Sequence, residues 1–152
     1  MSYIKEAGRQ EGCIFCALPA LGASHDRESL ILLRGELAYV IMNKFPYNSG
    51  HLMVAPFRHG GAYDELTPDE HAEVSALTAR CVGALKGAYG PEGFNIGVNQ
   101  GRAAGAGIVD HLHMHVVPRW AGDTNYMTTI GETKVLPETL DETYAKLKPL
   151  LG

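Results

Sequence analysis

The segment His111-Leu112-His113-Met114-His115-Val116-Val117 constrains the fold more than any other part of this chain. Apolar and histidine side chains alternate along it, and a β-strand sends successive side chains to opposite faces. We therefore predict a strand at His111–Val117, with one face in the apolar core and three imidazoles on the other. A buried imidazole needs a hydrogen-bond partner, so packing alone explains the second face poorly.

The rest of the sequence predicts a mostly antiparallel sheet. Short β-favouring runs at Leu30–Leu33 and Ala38–Met42 flank a turn at Arg34–Glu36, as in a hairpin. Two further strands are predicted at His51–Pro56 and Phe94–Val98. With the histidine segment, these runs give five strands.

Two helices complete the expected fold. Thr67-Pro68-Asp69-Glu70 combines an N-cap hydroxyl, a first-turn proline and a glutamate that can bond back to the cap. This helix ends at Gly90-Pro91, and a second helix is predicted at Pro137–Leu151. We expect a single α+β domain over residues 1–152, with a five-stranded sheet and its helices on one face.

The charge and the hydropathy of the chain exclude several classes of function. Lys and Arg number 13 against 17 Asp and Glu, the net charge is −4, and no basic stripe is present, which argues against nucleic-acid binding. No apolar run approaches the about 20 residues that span a bilayer, so we expect no membrane segment. The first residues lack the apolar core of a secretory signal, and we expect a cytoplasmic location.

Three chemical interpretations of the imidazole face are open. The histidines could form a solvated cluster, or a metal site, or a site for covalent phosphorus chemistry. A metal held by all three is disfavoured, because alternate positions on one strand spread over ~13 Å. Phosphorus chemistry suits them better, with one imidazole as nucleophile, one as proton donor and one as orienting partner.

His111–Val117 resembles the His-φ-His-φ-His-φ-φ signature of the histidine triad (HIT) family of nucleotide hydrolases and transferases, where φ is apolar. The resemblance extends from about Cys13 to Trp120. Other matching positions follow in the family's order and approximate spacing: Asn43, Gly50–Val54, Leu66–Glu70 and Gly93–Gly101. The resemblance implies the family's fold, an enzyme that acts on a small nucleotide substrate, and a homodimer.

The resemblance also implies roles for individual residues. His113 would attack the α-phosphorus and become a nucleotidyl-histidine. His115 would contact the α-phosphate or the bridging oxygen, and His51 would lie beside the triad. The positions implied around a bound nucleoside monophosphate are Asn43, Asn99, Gln100, Ala106, Gly107 and Ile108.

Gly107 separates this chain from two branches of the family, which have a glutamine four residues before the first triad histidine. Val117–Trp120, followed by Gly122–Asn125, instead resembles bacterial diadenosine tetraphosphate phosphorylases, in which orthophosphate rather than water resolves the intermediate. Trp120 could stack near the substrate or cover apolar surface at the rim.

These features lead to one main functional hypothesis and two alternatives. The main hypothesis is a nucleotidyl transferase or hydrolase that cleaves dinucleoside polyphosphates, with diadenosine tetraphosphate as substrate and phosphate as acceptor. One alternative is hydrolysis of nucleoside phosphoramidates or adenylylated lysine, against which Gly107 argues. The other is a sensor that binds adenosine nucleotides without turnover.

Cys13-Ile14-Phe15-Cys16 supplies half of a tetrahedral zinc site. Unligated thiols and a redox pair are the alternatives, although no thioredoxin-like strand and helix flank the motif. The resemblance places His59 and His111 as the remaining ligands, and with them we expect a structural zinc. Cys81 lies on the apolar stripe of the first predicted helix and is expected to be a core thiol.

Overall fold

The structure is a computed structural model that describes residues 12–107, 110–123 and 138–152. The strands within these ranges are β1 Ile31–Arg34, β2 Ala38–Met42, β3 Leu52–Pro56, β4 Gly93–Val98 and β5 Met114–Arg119. These five strands form one sheet in the order β1-β2-β3-β5-β4, and all neighbouring strands are antiparallel. The prediction of an α+β fold with a five-stranded antiparallel sheet is confirmed.

The α-helices in the described part of the chain are α1 Ile14–Ala20, α2 Asp26–Ser29, α3 Pro68–Tyr89 and α4 Leu140–Leu151. The helix predicted after Thr67 forms as expected and ends at Gly90, whose φ of 58° is left-handed. The second predicted helix begins at Leu140, with Thr139 as its cap, and Pro137 lies outside the described residues. No helix in the described ranges combines the length and the apolar composition needed to cross a bilayer.

The two faces of the sheet are covered by different elements. Both predicted helices, α3 and α4, pack on one face, where the larger core includes Val54, Leu85, Val116 and Leu147. The short helix α1, which the sequence did not predict, contributes Phe15 to a smaller cluster on the other face. The remaining members of that cluster are Cys13, Cys16, Ile31, Tyr39, Ile41, Met53 and Ala55.

The strand predicted at His111–Val117 begins later than expected, at Met114. The ladder with β3 stops at the Val54–Met114 pair, and the Leu112 N–H donates instead to the Gly60 carbonyl at 2.8 Å. At the end of β3, the carbonyl oxygen of Pro56 lies 2.7 Å from Nε2 of His111. The first two triad histidines therefore lie on a loop-like approach to β5, and only His115 lies within the strand.

Arg58 and Glu70 connect the end of β3 to the start of α3. Glu70 accepts hydrogen bonds from Arg58 Nη2 at 2.6 Å and from Arg58 Nε at 3.1 Å. Its Oε1 also accepts from the Thr67 N–H at 2.9 Å, while Thr67 Oγ1 accepts from the Glu70 N–H at 3.1 Å. The Arg58 bond, backed by these contacts, holds the pKa of the Glu70 carboxyl below its usual range.

We predict that Glu70→Gln lowers the free energy of unfolding at pH 7 by about 1–2 kcal/mol, because Arg58 is partly exposed and screening reduces the effect. A carboxyl with a lowered pKa stabilises the fold above the unfolded pKa of about 4.3, and this contribution is lost as pH falls through the folded pKa. The difference between variant and wild type should therefore narrow in denaturant titrations below about pH 4.

Asp69→Asn is the matched control, since Asp69 is an exposed neighbour in the same first turn. It should change the free energy of unfolding by less than about 0.5 kcal/mol. An equal loss for both variants, or a Glu70→Gln effect that is the same at pH 3 and pH 7, would contradict this account.

Candidate active site

His115 lies on the face of the sheet that carries α1. In the ladders Ile41 pairs with Met53, Met53 with His115, and His115 with Gly97. Directly paired residues project from the same face, so these four form one row across the sheet. Along this row, two apolar side chains are followed by the imidazole of His115 and then by Gly97, which has no side chain.

The backbone fixes the tautomer of His113. Its Nδ1 lies 2.9 Å from the carbonyl oxygen of His111. Because a carbonyl oxygen can only accept, Nδ1 carries the proton, and in the neutral ring Nε2 keeps its lone pair. His113 is buried, and its ring stacks on Phe15 with centroids 4.5 Å apart and planes 24° apart. The ring is therefore held as a neutral nucleophile.

A hydrogen-bonded series orients His115. The N–H of Tyr47 donates to His51 Nδ1 at 3.2 Å, so the proton of a neutral His51 lies on Nε2. That Nε2 is 2.9 Å from His115 Nδ1, which must then accept. His115 consequently carries its own proton on Nε2, on the side of the ring away from His51.

Burial keeps both imidazoles uncharged near neutral pH. Desolvation lowers the pKa of His115 to about 4, with a smaller contribution from the nearby His113. Desolvation also lowers the pKa of His113. Their ring centroids are 4.8 Å apart and their planes 68° apart. A neutral acceptor and a neutral donor therefore lie side by side.

Cys13, Cys16, His59 and His111 come together as a group in which all four potential ligand atoms lie within 4.8 Å of one another. His111 Nδ1 is 3.3 Å from Cys13 Sγ and 3.5 Å from Cys16 Sγ, and Cys16 Sγ is 3.4 Å from His59 Nδ1. The Pro56 carbonyl accepts from His111 Nε2, which leaves Nδ1 unprotonated and able to ligate. This is the residue set predicted for zinc.

Two adjoining cavities open at this site, and one of them is lined by imidazoles. The catalytic cavity, with a volume of about 730 Å³, has His113 and His115 on its wall. The α1 cavity, of similar volume, lies beside α1 and has a largely apolar wall that includes Leu18 and Ile41. Both cavities share a boundary formed by Ile14, Phe15, Asn43, Phe45 and Met53.

The structure brings some of the predicted substrate-side residues together and not others. Those on the catalytic cavity are Asn43, Asn99, Ala106 and Gly107. Gln100 is not on its wall, because Gln100 Oε1 accepts a hydrogen bond from the Tyr63 N–H at 2.8 Å. Trp120 lies edge-on to Tyr89, with centroids 6.4 Å apart, and Ile108 is outside the described residues.

Three residues that the sequence did not single out belong to the site. Phe15 stacks on His113, Tyr47 fixes the proton of His51, and Gly97 lies opposite His115. Only Phe15 had a sequence signal, since it lies between the two cysteines of the predicted metal motif. The other two depend on the turn before β3 and on the register of β4.

Comparisons with known proteins identify similar sequences and structures. A family model described as HIT domain matches residues 24–122. The chain is 45% identical over 129 residues to the AP-4-A phosphorylase of Mycobacterium tuberculosis, covering 85% of this chain and 65% of that protein. It is 30% identical over 107 residues to an adenosine 5'-monophosphoramidase of Schizosaccharomyces pombe, covering 70% and 74%. The chain thus spans about two thirds of the length of the mycobacterial relative.

A solved structure shows the same architecture. It is a zinc-bound histidine triad family protein from Mycobacterium smegmatis, with a TM-score of 0.71 and 27% identity over 91% of this chain and 92% of that one. The family match extends over more than half of the sequence and includes all three triad histidines. The chain therefore belongs to the HIT family.

Proposed function

We propose that this protein is a nucleotidyl transferase that cleaves diadenosine tetraphosphate through a nucleotidyl-histidine, with orthophosphate as acceptor. The observation that carries the proposal is that His113 and His115 lie side by side in one cavity with complementary protonation. His113 holds a lone pair on Nε2, and His115 carries a proton on Nε2. Displacement at phosphorus needs both an attacking atom and a donor for the leaving oxygen.

In the first step, Nε2 of His113 forms a bond to the α-phosphorus while the bond to the bridging oxygen breaks. ATP leaves with that electron pair, and the N–H of His115 donates a hydrogen bond to the departing oxygen. The His111 carbonyl, 2.9 Å from Nδ1, stabilises the positive charge that develops on the His113 ring. No proton leaves Nδ1, so the ring returns to its starting state after transfer.

In the second step, an oxygen of orthophosphate attacks the same phosphorus. The phosphorus–nitrogen bond breaks, ADP is released and neutral His113 is restored. Gly107 lies on the cavity wall and has no side chain that could position a water molecule. Orthophosphate is therefore the favoured acceptor in this proposal.

The α1 cavity is the proposed site of the nucleoside that becomes attached to His113. Its wall carries Leu18, Ile41 and Met53, which offer apolar surface to a base. Asn43 lies at the boundary of both cavities, which supports a contact with the ribose between base and phosphate. The 45% identity to an AP-4-A phosphorylase supports the same substrate. The homodimer implied by the family resemblance stays a prediction.

Incubating the protein with diadenosine tetraphosphate, with and without orthophosphate, tests the acceptor. We expect ADP and ATP to form in a phosphate-dependent manner, measured by ion-exchange chromatography. AMP and ATP formed at equal rates without phosphate would indicate a hydrolase, and binding of the substrate without any product would indicate a sensor.

Gly107→Gln provides a matched test of the acceptor within the same cavity. A Cβ added at Gly107 meets no heavy atom within 4 Å, so the longer side chain can be accommodated. We expect the glutamine amide to hold water near the intermediate and to raise the ratio of AMP to ADP, whereas Gly107→Ala should leave that ratio unchanged. An unchanged ratio in Gly107→Gln would contradict the assigned role of this position.

We also propose that Cys13, Cys16, His59 and His111 bind one zinc ion. Tetrahedral zinc with bonds of about 2.3 Å to sulfur and 2.0–2.1 Å to nitrogen separates its ligand atoms by about 3.3–3.8 Å. The three contacts in the cluster, at 3.3, 3.4 and 3.5 Å, fall in this range. A zinc-bound HIT structure with 27% identity supports the same interpretation.

The proposed role of the zinc is structural. When bound, it would join α1 to the segment that precedes β5. Cys13 and Cys16 lie at the start of α1, and His111 lies in that segment. Phe15, between the two cysteines, would thereby be held against the His113 ring. The cluster acts on catalysis only by positioning these residues.

Cys16→Ser should reduce bound zinc from about one equivalent to below about a tenth, because it removes one of four ligands. The zinc content is measured by plasma mass spectrometry on protein purified without chelator. The control is Cys81→Ala, since Cys81 is a buried core thiol outside the cluster, and this variant should keep its zinc. A wild-type content below about a tenth of an equivalent would contradict the proposed site.

A further inference from the structure

Gly97 is the residue of the edge strand β4 that lies directly across from His115. The two share the face of the sheet that carries the catalytic cavity, and Gly97 is on the wall of that cavity. A Cβ built at this position meets no heavy atom within 4 Å. The sheet surface directly beside the proposed proton donor is therefore open at position 97, while Asn95 and Asn99 line the same wall on either side of it.

The row across the sheet gives the two sides of His115 different characters. On the β3 side, Met53 and Ile41 are buried and belong to the wall of the α1 cavity, where we place the nucleoside of the transferred group. On the β4 side the row ends at Gly97, which Asn95 and Asn99 flank on the cavity wall. In the proposed function the attacked phosphorus is bound between these two sides, and the remainder of the substrate then extends over β4.

The leaving group of diadenosine tetraphosphate is a complete nucleoside triphosphate, which is larger than the group transferred to His113. The residues on the wall of the catalytic cavity, within the described ranges, include no Asp or Glu. A polyanion can therefore pass over this wall without facing a like charge, although the protein as a whole has a net charge of −4. The α1 cavity carries charges of both signs on its wall, with Arg27 and Lys44 beside Glu28 and Asp141.

We propose that Gly97 determines substrate specificity by leaving room over β4 for the polyphosphate leaving group. This inference rests on the proposed function. A side chain at this position would obstruct the leaving nucleotide while leaving the α1 cavity and His113 as they are. The enzyme would then lose dinucleoside polyphosphates as substrates but keep its affinity for a nucleoside monophosphate.

Gly97→Val is the direct test, because its φ is outside the left-handed region and valine favours strands. We expect kcat/KM for diadenosine tetraphosphate to fall at least about tenfold, while the Kd for AMP, measured by calorimetry, stays within about twofold. Gly97→Ala should give a smaller loss in the same direction, and it keeps the test decisive if the valine variant does not fold.

Gly93→Val is the matched control on the same strand and the same face. Gly93 pairs with Arg119 at the far end of the ladder, a Cβ there also meets no heavy atom within 4 Å, and Gly93 is not on the cavity wall. This variant should keep both kcat/KM and the Kd for AMP within about twofold of wild type.

Two results would overturn the inference: both Gly97 variants keep wild-type kcat/KM for diadenosine tetraphosphate, or AMP affinity falls in the same proportion as turnover. Failure of the proposed function is distinguishable, because it is measured on the wild type. A wild-type protein that binds AMP but does not cleave diadenosine tetraphosphate contradicts the function, and with it the role of Gly97. If the wild type cleaves diadenosine tetraphosphate and the Gly97 variants show one of the two results above, only the role of Gly97 is contradicted.

Discussion

The hydrogen bond between Nδ1 of His113 and the carbonyl oxygen of His111, at 2.9 Å, determines the chemistry of this site. It assigns the proton of His113 to Nδ1 and leaves Nε2 as the nucleophilic atom. The His111 backbone is itself held by its ring, whose Nε2 bonds to the Pro56 carbonyl and whose Nδ1 faces the cysteines of α1. His111 thus connects β3 and α1 to the nucleophile His113.

The two faces of the sheet are covered to different extents, and this difference explains why the site is accessible. Helices α3 and α4 bury one face beneath the larger core, which supplies most of the apolar burial that folding requires. On the other face, the strand residues of the smaller cluster belong to β1, β2 and β3. His115 and the adjoining β4 are left beside an open cavity, where a substrate can reach the imidazoles.

Local signals predicted the elements well, because each depends on neighbouring residues. The capping box at Thr67 and the left-handed Gly90 need only a few residues of sequence, and both formed as expected. The predicted start of β5 was wrong by three residues, because the His111 ring donates a hydrogen bond to the Pro56 carbonyl at the end of β3. Alternation along a sequence does not reveal such a competing partner.

Contacts between distant elements were less accessible to prediction. The four-residue cluster and His51 came from the family resemblance, and the structure brings them together. Gly97, however, depends on the register between β4 and β5, and Gln100 is turned toward Tyr63 by a bond across two loops. The sequence around Gly97 and around Gln100 gives no indication of these contacts.

Trapping the covalent intermediate tests the central claim most directly. The protein is mixed with diadenosine tetraphosphate in the absence of orthophosphate, quenched in base to protect the phosphorus–nitrogen bond, and analysed by peptide mass spectrometry. We predict an adenylyl group on the peptide that contains His113, localised to that residue, and none in His113→Ala. An adduct on a different residue, or full turnover by His113→Ala, would contradict the mechanism.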